Sequence, residues 1–197
     1  MTKPTYKKQF IYITHYMNKL EVLSGLTFSV NTVIKTLLTE LQVMNIDYGP
    51  DHIFKISITA ALEYVLAEIL ELSGNAVFDS KKVRMTPDHI IKAISHDTDL
   101  KLVFDTEKIK VDEDTPKYDT HTRKILMQVH PDTNLTVQGS RYVDALIYTF
   151  IKACAQELQR DKNADALKIM DSVLPENLAK FAKAEIGKSI VKYNSDA

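Results

Sequence analysis

Ile58, Leu62, Val65, Ile69 and Leu72 recur at steps of four, three, four and three. On an α-helix that spacing lines all five along one seam. No Gly or Pro interrupts residues 52–73, and Gly74-Asn75 follows as a stop signal. A helix over 52–73 would be about 30 Å long at 1.5 Å per residue. A seam of that length is too long for a short neighbouring helix to cover.

The elements around it are short. Asn31 reads as the N-cap of a helix to about Gln42, striped by Val33, Ile34, Leu37, Leu38 and Leu41. Asn45–Asp51, with Gly49-Pro50, reads as a loop, and 76–86 as another. Thr86 caps a further short helix with Pro87 in its first turn. The same order then recurs. A short helix is predicted over 121–129, a loop at His130–Thr133, and a long helix over 137–160 with Val143, Leu146, Phe150 and Ala153 on one face. A short helix follows over 164–173. Pro175 then opens an amphipathic helix over 176–193 that uses Leu178, Phe181, Ile186 and Ile190. Residues 6–22 also have helical spacing, at Phe10, Ile13, Tyr16, Met17 and Leu20, and Ser24-Gly25 breaks it. The expected fold class is therefore all-α. Two short–long–short triplets packed head to tail would cross their long helices and bury both seams. The segment joining them would make that pairing intramolecular.

Charge and composition narrow the functions. Net charge is -1 over 197 residues, low for a protein that neutralises phosphates. The charge is unevenly spread. Residues 1–25 carry four lysines against one glutamate, and 105–119 carry six acids against three lysines. The acidic stretch has no apolar period and reads as a linker. Cys154 is the single cysteine, which precludes an intrachain disulfide and fits a reducing compartment. It falls on or near an apolar helix face, as an inert buried thiol does. No apolar run reaches the 18–20 residues of a membrane span, and the N-terminus lacks the features of a signal peptide. The six histidines show no ligand spacing, and one cysteine builds no thiolate zinc site. No cofactor, metal or catalytic constellation is expected. Tyr64, Phe150 and Met127 read as core, and His130, before Pro131, as a residue that fixes its loop.

Family likeness is carried by whole stretches. Leu62-Glu-Tyr-Val-Leu-Ala-Glu-Ile-Leu-Glu-Leu-Ser-Gly-Asn-Ala76 resembles the central helix of histone 2A. Leu26-Thr-Phe-Ser-Val30 resembles the entry to that family's first helix. Asp79-Ser-Lys-Lys-Val-Arg-Met-Thr-Pro87 resembles its second loop, and His89-Ile-Ile-Lys-Ala-Ile94 its third helix. The second half resembles histone 2B, through Lys124-Ile-Leu-Met-Gln-Val-His-Pro-Asp-Thr133, Leu174-Pro-Glu-Asn-Leu-Ala-Lys180 and Gly187-Lys-Ser-Ile-Val-Lys-Tyr193. The whole is similar to the fused doublet histones of large DNA viruses. The resemblance divides the chain into an extension (1–23), a 2A-like histone fold (24–104), an acidic linker (105–119) and a 2B-like histone fold with its C-terminal helix (120–197). Three departures stand out. The first loop of the 2A-like half is longer than the family's. The 2B-like loop around Arg160–Asp165 is shorter and lacks the basic signature. Long basic tails are absent.

The resemblance implies a structural chromatin protein, a 2A–2B unit that wraps double-stranded DNA with histone 3- and histone 4-like partners. It would act in the nucleus on chromosomes, or in a virion and viral factory. Lys81, Lys82 and Arg84 would be DNA contacts, with the arginine in the minor groove. Thr136 and Asn31, at helix N-termini, would attract phosphate, as would Lys35, Arg123, Lys124 and Arg141. Glu63, Glu68 and Glu71 fall within about 140° of arc on the first long helix and point outward together. With Asp97, Asp99 and Glu185 they would form an acidic patch that docks basic peptides. The near-neutral charge predicts weaker DNA binding, lost at lower salt than for a basic histone. It also keeps open a second reading, a histone-fold interaction module of the transcription-factor or histone-chaperone type.

Overall fold

The computed structural model describes residues 20–196. Residues 20–24 are helical; the rest of the helix expected over 6–22, and any packing of it on the body or on DNA, lies outside the described residues. The ordered elements are α1 (Val30–Val43), α2 (His52–Asp79), β1 (Arg84–Met85), α3 (Pro87–His96), α4 (Leu100–Val103), α5 (Asp119–Val129), β2 (Asn134–Leu135), α6 (Val137–Arg160), α7 (Ala166–Val173) and α8 (Glu176–Asp196). The short–long–short order thus occurs twice, as α1–α2–α3 and α5–α6–α7.

Helix α2 is buried around its whole circumference over about two turns of its N-terminal half. Seven consecutive residues, Ile56 to Leu62, are buried, as expected of a helix covered on every side. The covering comes from both halves of the chain. From the first half, α1 and α3 pack on α2; from the second, α5 and α8 pack on it. In return α1 lies against α6. The two long helices meet through Leu62, Val65, Leu66 and Ile69 of α2 and Leu146, Ile147 and Phe150 of α6, with Phe104 beside them. The four-three seam is therefore the inner face of one continuous core.

Three helices end in the same way. After residue 24, after α1 and after α2, one residue takes a left-handed conformation: Gly25 (φ 71°), Asn45 (φ 57°) and Lys81 (φ 54°). Each closes a Schellman turn, as when Lys82 N–H donates to Val77 O at 3.1 Å and Lys81 N–H to Phe78 O at 2.9 Å. Gly25 and Asn45 are ordinary occupants of that position. Lysine is not, and it holds the turn at some conformational cost.

Several boundaries differ from the sequence expectation. The cap of α1 is Ser29, whose hydroxyl accepts from Thr32 N–H at 3.3 Å, so Asn31 lies inside the first turn. Gly74-Asn75 does not end α2, which runs on to Asp79. Gly74 serves a different purpose. A Cβ on it would stand 2.0 Å from the His130 ring, and His130 Nε2–H donates to Glu71 O at 2.8 Å across that gap. His130 thus fixes the loop after α5 directly onto α2. Helix α5 starts at Asp119 rather than 121, and Met127, one step off its buried Thr122–Ile125–Leu126 face, is 68% exposed. Phe181 is likewise half exposed, Ala182 taking the buried place. Cys154 is fully buried, and burial pushes its thiol well above the usual range.

In an ordinary helix Gly→Ala stabilises by about 1 kcal/mol. Here Gly74→Ala collides with His130, and a loss of about 1–3 kcal/mol is expected. Urea unfolding of the variant checks this; a gain in stability would mean that the His130 interlock contributes nothing.

Candidate nucleic-acid interface and acidic face

The loop after α2 and the loop before α6 join through a short parallel ladder. Arg84 pairs with Asn134 and Met85 with Leu135. Alternation along the strands sends Met85 and Leu135 into the core and leaves Arg84 and Asn134 exposed. Asn134 N–H donates to Val83 O at 3.1 Å and Thr136 N–H to Met85 O at 3.0 Å. Thr136 also donates its hydroxyl to Met85 O at 3.1 Å and accepts from Gly139 N–H at 3.0 Å, which caps α6. Gly139 is required by this approach, because a Cβ there would lie 2.5 Å from Met85 O. The ladder therefore sets the N-terminus of a 24-residue helix beside Arg84. No acidic residue occupies the first turn of α6. From Asp79 to Thr86 the chain carries three bases and one acid, and Lys81, Lys82 and Arg84 are all exposed. Lys81, Lys82, Arg84 and Thr136, distant in sequence, are thus brought together.

The other expected phosphate contacts are placed differently. Lys35 is exposed on α1 and lines a groove with Asn31, Tyr48, Pro50 and Lys55. Lys55 is not singled out by the sequence; its one cue is a first-turn position after the Asp51 cap. Lys124 is exposed on α5. Arg123 Nε–H donates to Asp119 at 2.9 Å, and Ser140 donates to the same carboxylate at 2.6 Å. The Arg123 partnership holds Asp119 below the usual carboxylate range.

Arg141 departs from expectation. It pairs with Asp144 at 2.8 Å, a carboxylate that is 1% exposed, and its other terminal nitrogen donates to Asp112 O at 3.0 Å and Thr115 O at 3.1 Å. Asp144 in turn accepts from Tyr118 N–H at 2.8 Å. Arg141 is therefore committed to holding 112–118 against α6 and is not offered to a phosphate. The acidic linker is accordingly built into the body. Phe104, Thr115 and Tyr118 are buried, Ile109 packs on the core, and Tyr118 meets Thr36 through its hydroxyl at 3.0 Å.

On another face, the carboxylates gather around Tyr64. Its hydroxyl lies within the fields of Glu68, Glu185 and Asp97, and burial with those charges raises its pKa strongly. Glu68 is raised by burial first, and further by Glu71 and Asp97. Glu185 pairs with Lys188 at 2.6 Å. Asp97 is partly occupied, accepting from Asp99 N–H at 3.0 Å and Leu100 N–H at 2.7 Å. Glu63 does not point outward as expected. It accepts from Thr27 N–H at 2.8 Å and Phe28 N–H at 2.7 Å, pinning the entry to α1. Burial raises its pKa, and the nearby Glu185 adds to the rise. Among the described residues, no group of three or more His, Cys, Asp or Glu is placed to hold a metal ion, and no helix is long and apolar enough to cross a membrane.

Comparison with known proteins locates one histone-like region. Over 77 residues, 39% of this chain, the sequence is 43% identical to a histone 2A of Kluyveromyces lactis and to a histone 2A of Saccharomyces cerevisiae. It is 42% identical over the same length to a histone 2A of Candida albicans. The match spans 56%, 55% and 56% of those proteins, so the chain covers about half the length of the relatives it matches. No family model matches the chain, and no solved structure does.

Removing the Glu63 carboxylate would leave two backbone N–H groups without an acceptor. Glu63→Ala should cost about 1–3 kcal/mol, while Glu63→Gln, which keeps an acceptor oxygen, should cost little. Because the folded-state pKa is raised, Glu63 contributes stability at low pH that is lost as pH rises from the ordinary value through the raised one. Unfolding midpoints across that window should fall more steeply for the wild type than for Glu63→Gln. Equal loss in both variants would refute the capping role.

Proposed function

We propose that the chain is a fused 2A–2B histone unit that binds and wraps duplex DNA in a nucleosome-like particle with histone 3- and histone 4-like partners. Its two helix triplets are read as histone folds paired head to tail. The 43% identity to histone 2A proteins over 77 residues supports the first half of this reading. The second half is supported by the recurrence of short–long–short order and by the exchange of packing between halves, α1 on α6 and α5 on α2. The observation that carries the DNA-binding reading is the parallel ladder. It holds Arg84, Lys81, Lys82 and the N-terminus of α6 in one exposed place. A helix N-terminus offers N–H groups and a partial positive charge to phosphate, and an arginine on the same rim can enter a minor groove. Lys35, Arg123 and Lys124 are secondary phosphate contacts in this reading. Glu68, Glu71, Asp97, Asp99 and Glu185 form a docking face for basic peptides, with Glu63 as its structural base. Action would be on chromosomes in a nucleus, or in a virion and viral factory if the source is viral.

Two observations favour a second reading, an interaction module with little DNA wrapping. Net charge is -1, and Arg141 is withdrawn from any phosphate. A salt titration of duplex binding separates the two readings. Each phosphate contact contributes about 0.9 to the slope of log K against log salt. The wild type should show a clear slope, and Lys81→Ala with Lys82→Ala should flatten it by about 2. A wild-type slope near zero would select the interaction module. With histone 3/4-like partners and DNA, a nuclease-protected particle is expected; full digestion would end the wrapping reading.

A further inference from the structure

Three large apolar side chains stand in solvent around the ladder. Phe78, in the last turn of α2, is 80% exposed, Val83 is 69% exposed, and Val137, the first residue of α6, is 74% exposed. Isolated exposed hydrophobics need no explanation. Val83 and Val137 are not isolated, because their backbones belong to the ladder edge or directly adjoin it, and Phe78 stands at the turn that leads into it. Phe78 O accepts from Lys81 N–H at 2.9 Å, and Val83 O accepts from Asn134 N–H at 3.1 Å. Val137 directly follows Thr136, which is bonded to Met85 O. Lys81, Lys82 and Arg84 interleave with them in sequence, and all three bases are exposed.

Resting on the DNA-binding reading above, we infer that Phe78, Val83 and Val137 are contact residues for duplex DNA, packing on sugar and groove surface on either side of Arg84. Charge decides the occupant. A second copy meeting this edge symmetrically would set Lys81, Lys82 and Arg84 against themselves, and like charges across an interface are disfavoured. A duplex supplies phosphates for the bases and apolar sugar edges between them. Minor-groove binders combine basic side chains with apolar ones in this way. Apolar contacts also answer the charge problem, since they add affinity without releasing counterions.

That difference makes the inference testable by one measurement, a salt titration of binding to a duplex of about three helical turns. Phe78→Ala with Val83→Ala should lower affinity about tenfold, the equivalent of burying part of one aromatic side chain. The reduction should be the same at every salt concentration, leaving the slope unchanged. Lys81→Ala with Lys82→Ala should instead flatten the slope. Both apolar side chains are exposed, so circular dichroism and the unfolding midpoint should stay at wild-type values. If the apolar variant binds like wild type while the lysine variant weakens, the DNA-binding reading stands and this inference falls. If the apolar variant abolishes self-association in sedimentation and leaves DNA affinity intact, the edge belongs to a second copy and the inference is overturned. Absence of duplex binding by the wild type at low salt would remove the underlying reading itself.

Discussion

Burial of helix α2 is the constraint on which the rest of the molecule depends. A 28-residue helix with seven consecutive buried residues cannot be covered by its own short neighbours. It needs α5 and α8 from the far half of the chain, and α6 needs α1 in exchange. Once those pairings form, the loops at the ends of the long helices come into register, and the ladder between Arg84–Met85 and Asn134–Leu135 follows. The exposed basic edge is thus a by-product of the way the core closes. Its position is set by Met85 and Leu135 pointing inward, not by the charged residues themselves.

Much of this is legible in the residues because it rests on periodicity and local chemistry. The four-three seam, the Thr86-Pro87 start and the Thr136 start of α6 all appear in the structure at the expected places. What stays hidden depends on partners far away in the chain. Gly74 has the composition of a stop signal, but its role is to make room for His130, 56 positions downstream. Glu63 has the spacing of an outward acid, but its partners are the backbone amides of Thr27 and Phe28. Arg141 looks like any helix-surface arginine. Its partners are Asp144 on the next turn and two linker carbonyls that no side-chain pattern reveals. The linker looks like a solvated tether because its acids dominate, while Phe104, Thr115 and Tyr118 hold it down.

Charge in this molecule is organised by place rather than by total. The acids cluster around Tyr64 and along the linker, and around Tyr64 burial and mutual repulsion raise Glu63 and Glu68. The ladder edge carries an excess of bases together with bare apolar side chains. A near-zero sum therefore conceals two surfaces of opposite character, which is how local potential departs from net charge.

The linker strapped along α6 also bears on how the molecule responds to dilution. Two separate polypeptides with the same interlocking helices would come apart as concentration fell, and their melting temperature would move with it. Here the complementary half is always present on the same chain, at a fixed local concentration. Cohesion of the halves is thus an intrinsic property of each molecule, the same in a sparse solution as in a crowded one.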